Sequence, residues 1–131
     1  MPAKKILIVE DEEELNELLA YNLRKLGYDV DQSFDGNDAM ALLGAGRPDL
    51  MLLDIMLPGQ DGWSVCRAVE KDPGLQDLPI IIFTARGSRE EFDLGHSFPN
   101  VRGYFVKPYA TSDVLRHVER TLNPALHNTL H

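Results

Sequence analysis

Cysteine is almost missing from this chain. Cys66 stands alone among 131 residues, so no internal disulfide can staple the fold, and a reducing compartment is the expected setting. Cationic residues are also scarce: Lys and Arg number 13 against 21 Asp and Glu, for a net charge of −8. They gather in no basic stripe, which leaves out the electrostatic footprint of a nucleic-acid binder. No apolar run approaches the ~20 residues that cross a bilayer, and no long apolar signal segment opens the chain. The four histidines, His96, His117, His127 and His131, show no metal-ligand spacing. These absences describe a cytoplasmic protein with no direct nucleic-acid binding and no membrane contact. What remains is ordinary for a globular chain, 44% apolar and 26% charged. One domain is the natural count at this length.

The most informative feature that is present is a set of short apolar runs, each ending in a polar residue. Ile6-Leu7-Ile8-Val9 ends in Glu10-Asp11, and Leu50-Met51-Leu52-Leu53 ends in Asp54. Ile80-Ile81-Ile82-Phe83 ends in Thr84, and Tyr104-Phe105-Val106 ends in Lys107-Pro108. Runs this short and this apolar read as buried strands. Between them lie helical patterns. Leu15, Leu18, Leu19, Leu23 and Leu26 recur at helical spacing over 13–26, with Gly27 at the stopping position. Ala39, Leu42 and Leu43 mark a short helix closed by Gly44 and Gly46. Val65, Cys66 and Val69 mark a third, with Cys66 read as a small core residue. Ser88 and Glu91 have capping-box spacing ahead of a fourth helix stopped by Pro99. A fifth begins near Thr111-Ser112 and buries Val114, Leu115, Val118 and Leu122. Tyr28, Val30 and Phe34 alternate with polar residues, as in a half-exposed edge strand. Glu12, Glu13 and Glu14 read as a solvated first turn, favoured at a helix N-terminus.

Five strands alternating with five helices imply a single doubly wound α/β domain, a parallel sheet with right-handed crossovers and helices on both faces. Ligands of such sheets bind outside the carboxyl ends of the strands. That rule gathers Glu10, Asp11, Asp54, Thr84 and Lys107 into one site. One polar strand end is unremarkable, since strand ends meet solvent; four with complementary chemistry are not. A hard cation such as Mg2+ prefers carboxylate oxygens, water and phosphate oxygens. Asp11 and Asp54 supply carboxylates, with Glu10 binding directly or through water. Asp54 can then attack phosphorus to form an aspartyl phosphate. Positioning and charge neutralisation are the main needs of phosphoryl transfer, and the Lys107 ammonium and Thr84 hydroxyl meet them.

Four segments carry a family resemblance in order and spacing. They are Ile6 to Glu12, Asp54 to Gly62, Phe83-Thr84-Ala85, and Gly103-Tyr104-Phe105-Val106-Lys107-Pro108. The chain resembles the receiver domain of bacterial two-component response regulators. The resemblance implies a (βα)5 receiver domain over residues 1–123 with strand order 2-1-3-4-5, and a tail or linker stub at 124–131. It implies that Asp54 accepts a phosphoryl group from a sensor histidine kinase or histidine phosphotransfer protein. Mg2+ (or Mn2+) would be held by Glu10, Asp11, Asp54 and the Met56 backbone carbonyl. Lys107, Thr84 and the Ala85 backbone would bind the phosphoryl group, with a cis peptide between Lys107 and Pro108. Thr84 and Tyr104 would be the switch pair, and Met56 and Arg86 would tune phosphate lifetime. The protein would be a signalling phosphoacceptor rather than a turnover enzyme. Its output face, the fourth helix, fifth strand and fifth helix, would engage a downstream protein or a second copy of the chain. The sequence departs from the usual pattern in Glu10, where Asp is commoner, and in Gly95–Gly103, which lacks a small-residue junction. Two other classes are weighed. The intact Asp11, Asp54, Thr84 and Lys107 argue against a phosphorylation-independent adaptor. A flavodoxin-like flavin carrier is disfavoured because the acids from Glu10 to Glu14 would repel a flavin phosphate.

Overall fold

A computed structural model describes residues 3–124. Along the chain run β1 (Lys5–Val9), α1 (Glu13–Lys25), β2 (Asp29–Ser33), α2 (Gly36–Ala45) and β3 (Leu50–Asp54). Then come α3 (Gly62–Lys71), β4 (Ile80–Thr84), α4 (Arg89–His96), β5 (Val101–Val106) and α5 (Thr111–Leu122). All strand pairs are parallel, in the order β2-β1-β3-β4-β5. The doubly wound sheet and the strand order implied by the resemblance are therefore both present.

Successive strand residues face opposite sides of a sheet, yet the residues of β3 and β4 are all buried, so both faces are covered. Leu7, Val9, Met51, Leu53, Ile80 and Ile82 face α2 and α3. Ile6, Ile8, Leu50, Leu52, Ile81 and Phe83 face α1 and α5, against Leu19, Leu23, Val114 and Val118. Helix α4 lies over the first face, where Gly95 meets Tyr104 and Ile82. Cys66 is a buried core residue as expected, and burial pushes its thiol up to about 12.

Local chemistry explains most boundaries. Helix α1 stops at Gly27, whose φ of 97° lies in the left-handed region that favours glycine. Asp35 and Asp61 cap α2 and α3 by accepting from the Asp38 and Ser64 N–H groups. Helix α5 begins at Thr111, as the sequence implies, after Ala110 and with no side-chain cap. Three boundaries differ from the sequence expectation. Helix α2 begins at Gly36, runs through Gly44 and closes at Gly46, the second of the two glycines read as its stop. Helix α4 ends at His96, one turn before Pro99, on the Ser97 cap. Strand β2 ends at Ser33, which is buried, while Phe34 turns outward.

That last difference traces to Asn16, a fully buried side chain on the inner face of α1. Its Nδ2 donates to the carbonyls of Glu10 and Ser33, both at 2.9 Å, and its Oδ1 accepts from Gln32 Nε2. It ties the ends of β1 and β2 to one helix. Asn16→Ala strands the Glu10 carbonyl and the Gln32 amide, so we expect a loss of about 2 kcal/mol, read as a lower urea midpoint at unchanged slope. Asn100 plays a similar part before β5. Its Nδ2 lies 2.7 to 3.3 Å from the carbonyls of Leu75, Gln76 and Leu78, fixing the approach to β4.

Candidate functional site

Each predicted polar residue stands where its strand runs out, at the carboxyl edge of the sheet. Asp54 closes β3 and is 2% exposed; Glu10, just past β1, is fully buried; Asp11 beside it is exposed. One carboxylate oxygen from each of the three lies within 4.8 Å of the others. The turn after β3 is held tightly, because a Cβ on Gly62 would lie 2.6 Å from the Ile55 Cα, so only glycine lets α3 start so close to Asp54. Asp54 Oδ1 accepts from the Met56 N–H at 2.9 Å, and Oδ2 accepts from Lys107 Nζ at 2.8 Å. Lys107 Nζ also lies 2.7 Å from Glu10 Oε1 and 3.0 Å from Glu12 Oε1. Its backbone N–H donates to the Thr84 carbonyl at 2.7 Å, and the peptide from Lys107 to Pro108 is cis. One ammonium thus faces three carboxylates. The set of convergent, largely buried oxygen donors suits a hard divalent cation.

Burial dominates the electrostatics of Glu10. It pushes the carboxyl up to about 8, with Lys107 pulling the other way and Asp54 adding to the rise. Burial alone would lower the Lys107 ammonium, but its bonds to Asp54, Glu10 and Glu12 outweigh that and raise it. A carboxyl raised on folding contributes stability that is present below its unfolded value and lost as pH climbs through the folded one. We therefore expect the metal-free protein to lose thermal stability from about pH 4.5 to about pH 8. Added Mg2+, which needs the ionised acid, should restore more of it at each step upward. Thermal unfolding with and without Mg2+ across that range measures this, and Glu10→Gln should flatten the trend.

The sequence model of the response regulator receiver domain matches residues 6–119. The chain belongs to the receiver domain family. Solved structures agree with that placement. A putative response regulator from Chloroflexus aurantiacus shares 30% identity at a TM-score of 0.84, covering 92% of this chain and 98% of that one. The chemotaxis response regulator CheY4 of Vibrio cholerae shares 26% at 0.85, covering 92% and 100%. The signal receiver domain of a histidine kinase from Syntrophus aciditrophicus shares 30% at 0.84, covering 93% and 92%.

The remaining positions of this receiver domain can now be located. Thr84 is fully buried at the end of β4, and its hydroxyl donates to Glu91 Oε1 at 2.7 Å. Among the described residues it makes no hydrogen bond to Asp54. Tyr104 packs its ring over Gly95 and edge-on to Phe92, with its hydroxyl 3.4 Å from the Arg86 carbonyl. Met56 is 48% exposed, and Ala85 and Arg86 are exposed on the loop after β4. Three neighbours of the receiver site make contacts that the sequence does not announce. Glu12, read as part of a solvated turn, reaches Lys107 across 95 positions. Tyr109 stacks on Phe83 at 4.9 Å, and burial raises its phenol, with Glu10 adding to the rise. Its hydroxyl is buried with no hydrogen-bond partner among the described residues. The third, Glu91, has capping spacing that gives no hint of its bond to Thr84. His96 and His117 lie against backbone carbonyls, of Phe92 and Arg102. His127, His131 and all but the first residue of the expected 124–131 tail lie outside the described residues.

Proposed function

We propose that this receiver domain is a phosphorylation-dependent switch in which Asp54 accepts a phosphoryl group from a phosphohistidine, with Mg2+ or Mn2+ held by Glu10, Asp11, Asp54 and the Met56 carbonyl. The observation that carries this is the placement of Asp54, a buried carboxylate within one ion's reach of two other acids and 2.8 Å from an ammonium. An Asp54 oxygen attacks phosphorus while the phosphorus–nitrogen bond to the donor imidazole breaks, and that imidazole departs with the bonding pair and keeps a proton. Lys107 then shares its charge with the new phosphoryl oxygens instead of the Asp54 carboxylate. When bound, the metal supplies positive charge against the equatorial oxygens. The domain acts stoichiometrically, and water later removes the phosphate past Met56 and Arg86.

A groove of about 430 Å³ opens beside Lys107, lined by Glu12, Leu15, Leu18, Ala85 and Tyr109. Its exposed apolar wall beside the site offers a docking surface to a protein donor, a sensor kinase or a histidine phosphotransfer protein. The output would be read on α4, β5 and α5, where Phe92, Leu94 and Val106 are exposed, by a downstream protein or a second copy of the chain. No described helix is long and apolar enough to cross a membrane. The test is incubation with Mg2+ and a small acyl phosphate, then with a phosphohistidine protein, each followed by intact-mass measurement. One added phosphoryl group is expected, and none after chelation. An unchanged mass with both donors would leave the phosphorylation-independent adaptor as the better account.

A further inference from the structure

The Thr84 hydroxyl has a single proton, and that proton is already committed. It goes to Glu91 Oε1 at 2.7 Å, while the hydroxyl oxygen accepts from the Arg86 N–H at 3.0 Å. Glu91 is the third residue of α4. Its N–H is capped by the Ser88 hydroxyl at 3.2 Å. A capping box would also return the Glu91 carboxylate to the Ser88 N–H. Among the described residues that half of the box is not made, because the carboxylate has turned to Thr84. The same carboxylate lies beside the Tyr104 phenol, which burial, and then Glu91, raise above its ordinary range. One acid on the first turn of α4 therefore faces both members of the expected switch pair.

We propose that Glu91 is a positioning residue that holds the Thr84 hydroxyl away from Asp54 until a phosphoryl group draws it off, and that the released carboxylate then closes the cap of α4. This rests on the phosphoacceptor reading and extends it to a residue the sequence assigns only to helix capping. The competition is for one proton. In the unphosphorylated protein the Asp54 oxygens are already engaged by the Met56 N–H and Lys107, so the Glu91 carboxylate keeps the hydroxyl in a charge-assisted bond. An aspartyl phosphate brings about −1.5 to −2 charges and three acceptor oxygens to the end of the neighbouring strand. Asp54 and Phe83 are in register across β3 and β4, which puts Thr84 one residue along from that site. The phosphate outcompetes a single carboxylate for the hydroxyl. Glu91 is then left at a helix N-terminus, where both the Ser88 N–H and the helix dipole favour its charge. A local exchange of acceptors becomes a change in the first turn of α4, the start of the output face.

Two measurements test this, using amide and methyl NMR. The Arg86 amide is the first reporter, since it donates to the Thr84 hydroxyl oxygen. In the unphosphorylated protein, Glu91→Ala should shift the Arg86 amide and the Thr84 methyl, and in a Thr84→Val background the same change should leave Arg86 in place. That dependence on Thr84 separates the latch from a general loss of helix capping. In the second, beryllofluoride with Mg2+ serves as the phosphoryl mimic. It should bind Glu91→Ala about tenfold more tightly than the wild type, the latch having been removed beforehand. Glu91→Gln, which keeps the shape and an acceptor oxygen, should fall between the two and guards against a folding defect in the alanine variant. An unmoved Arg86 amide in Glu91→Ala, or equal mimic affinity in all three proteins, overturns the latch. Failure of beryllofluoride to bind any of them overturns the phosphoacceptor reading instead, and the Arg86 shift then decides the latch alone.

Discussion

Asp54→Asn is expected to give a folded protein that takes up no phosphoryl group from any donor. The substitution keeps the volume of a side chain that is 2% exposed, and its amide oxygen can still accept from the Met56 N–H. What it removes is the proposed nucleophile, so the loss of phosphorylation should be complete rather than graded. Lys107 keeps Glu10 and Glu12 as partners. The acid cluster meanwhile loses one of its repelling charges. Stability without metal should therefore change by no more than about 1 kcal/mol. Thermal stabilisation by Mg2+ should shrink, because one of three oxygen donors is gone. Intact mass and unfolding curves measure both effects. A phosphorylated Asp54→Asn protein would place the acceptor elsewhere.

Lys107→Ala should have the largest effect on coupling and a clear effect on stability. Its ammonium is the only cation within hydrogen-bonding range of Asp54 and Glu10 among the described residues, and removing it leaves two buried acids facing each other. Breaking a fully buried ion pair costs about 3 to 5 kcal/mol. Here the third acid, Glu12, is 63% exposed, and Glu10 can escape by keeping a proton. We therefore expect about 2 kcal/mol in the metal-free protein, most of it recovered with Mg2+. Phosphorylation should persist at reduced rate, while the amide shifts of α4 and β5 that accompany it in the wild type should largely vanish. If those shifts survive intact in Lys107→Ala, the ammonium does not carry the signal.

The site was legible because it is built from strand ends. Period and polarity alone locate Glu10, Asp11, Asp54, Thr84 and Lys107, and the parallel topology does the rest. What the sequence hid depends on which way a side chain turns. Three consecutive glutamates look like one solvated turn, yet Glu12 swings to an ammonium that arrives from the far end of the chain. Asn16, between Leu15 and Glu17 on α1, has no visible role until the ends of β1 and β2 supply it with carbonyls. Glu91 matched a capping pattern correctly for its backbone, but the pattern says nothing of a buried hydroxyl competing for its carboxylate. The unusual stretch from Gly95 to Gly103 also resolves physically. Asn100 replaces a small-residue junction with bonds to the carbonyls before β4.

One further contact changes how the domain can be watched. The chain has a single tryptophan. Trp63, on the first turn of α3, stacks on Phe98 with ring centroids 6.0 Å apart and planes 12° from parallel. Phe98 belongs to the link between α4 and β5. All indole fluorescence from this protein therefore comes from one ring set between the helix that follows Asp54 and the segment that enters the proposed output face. An emission change on addition of beryllofluoride would report a shift at that junction with no label attached, and its time course would give the switching rate directly.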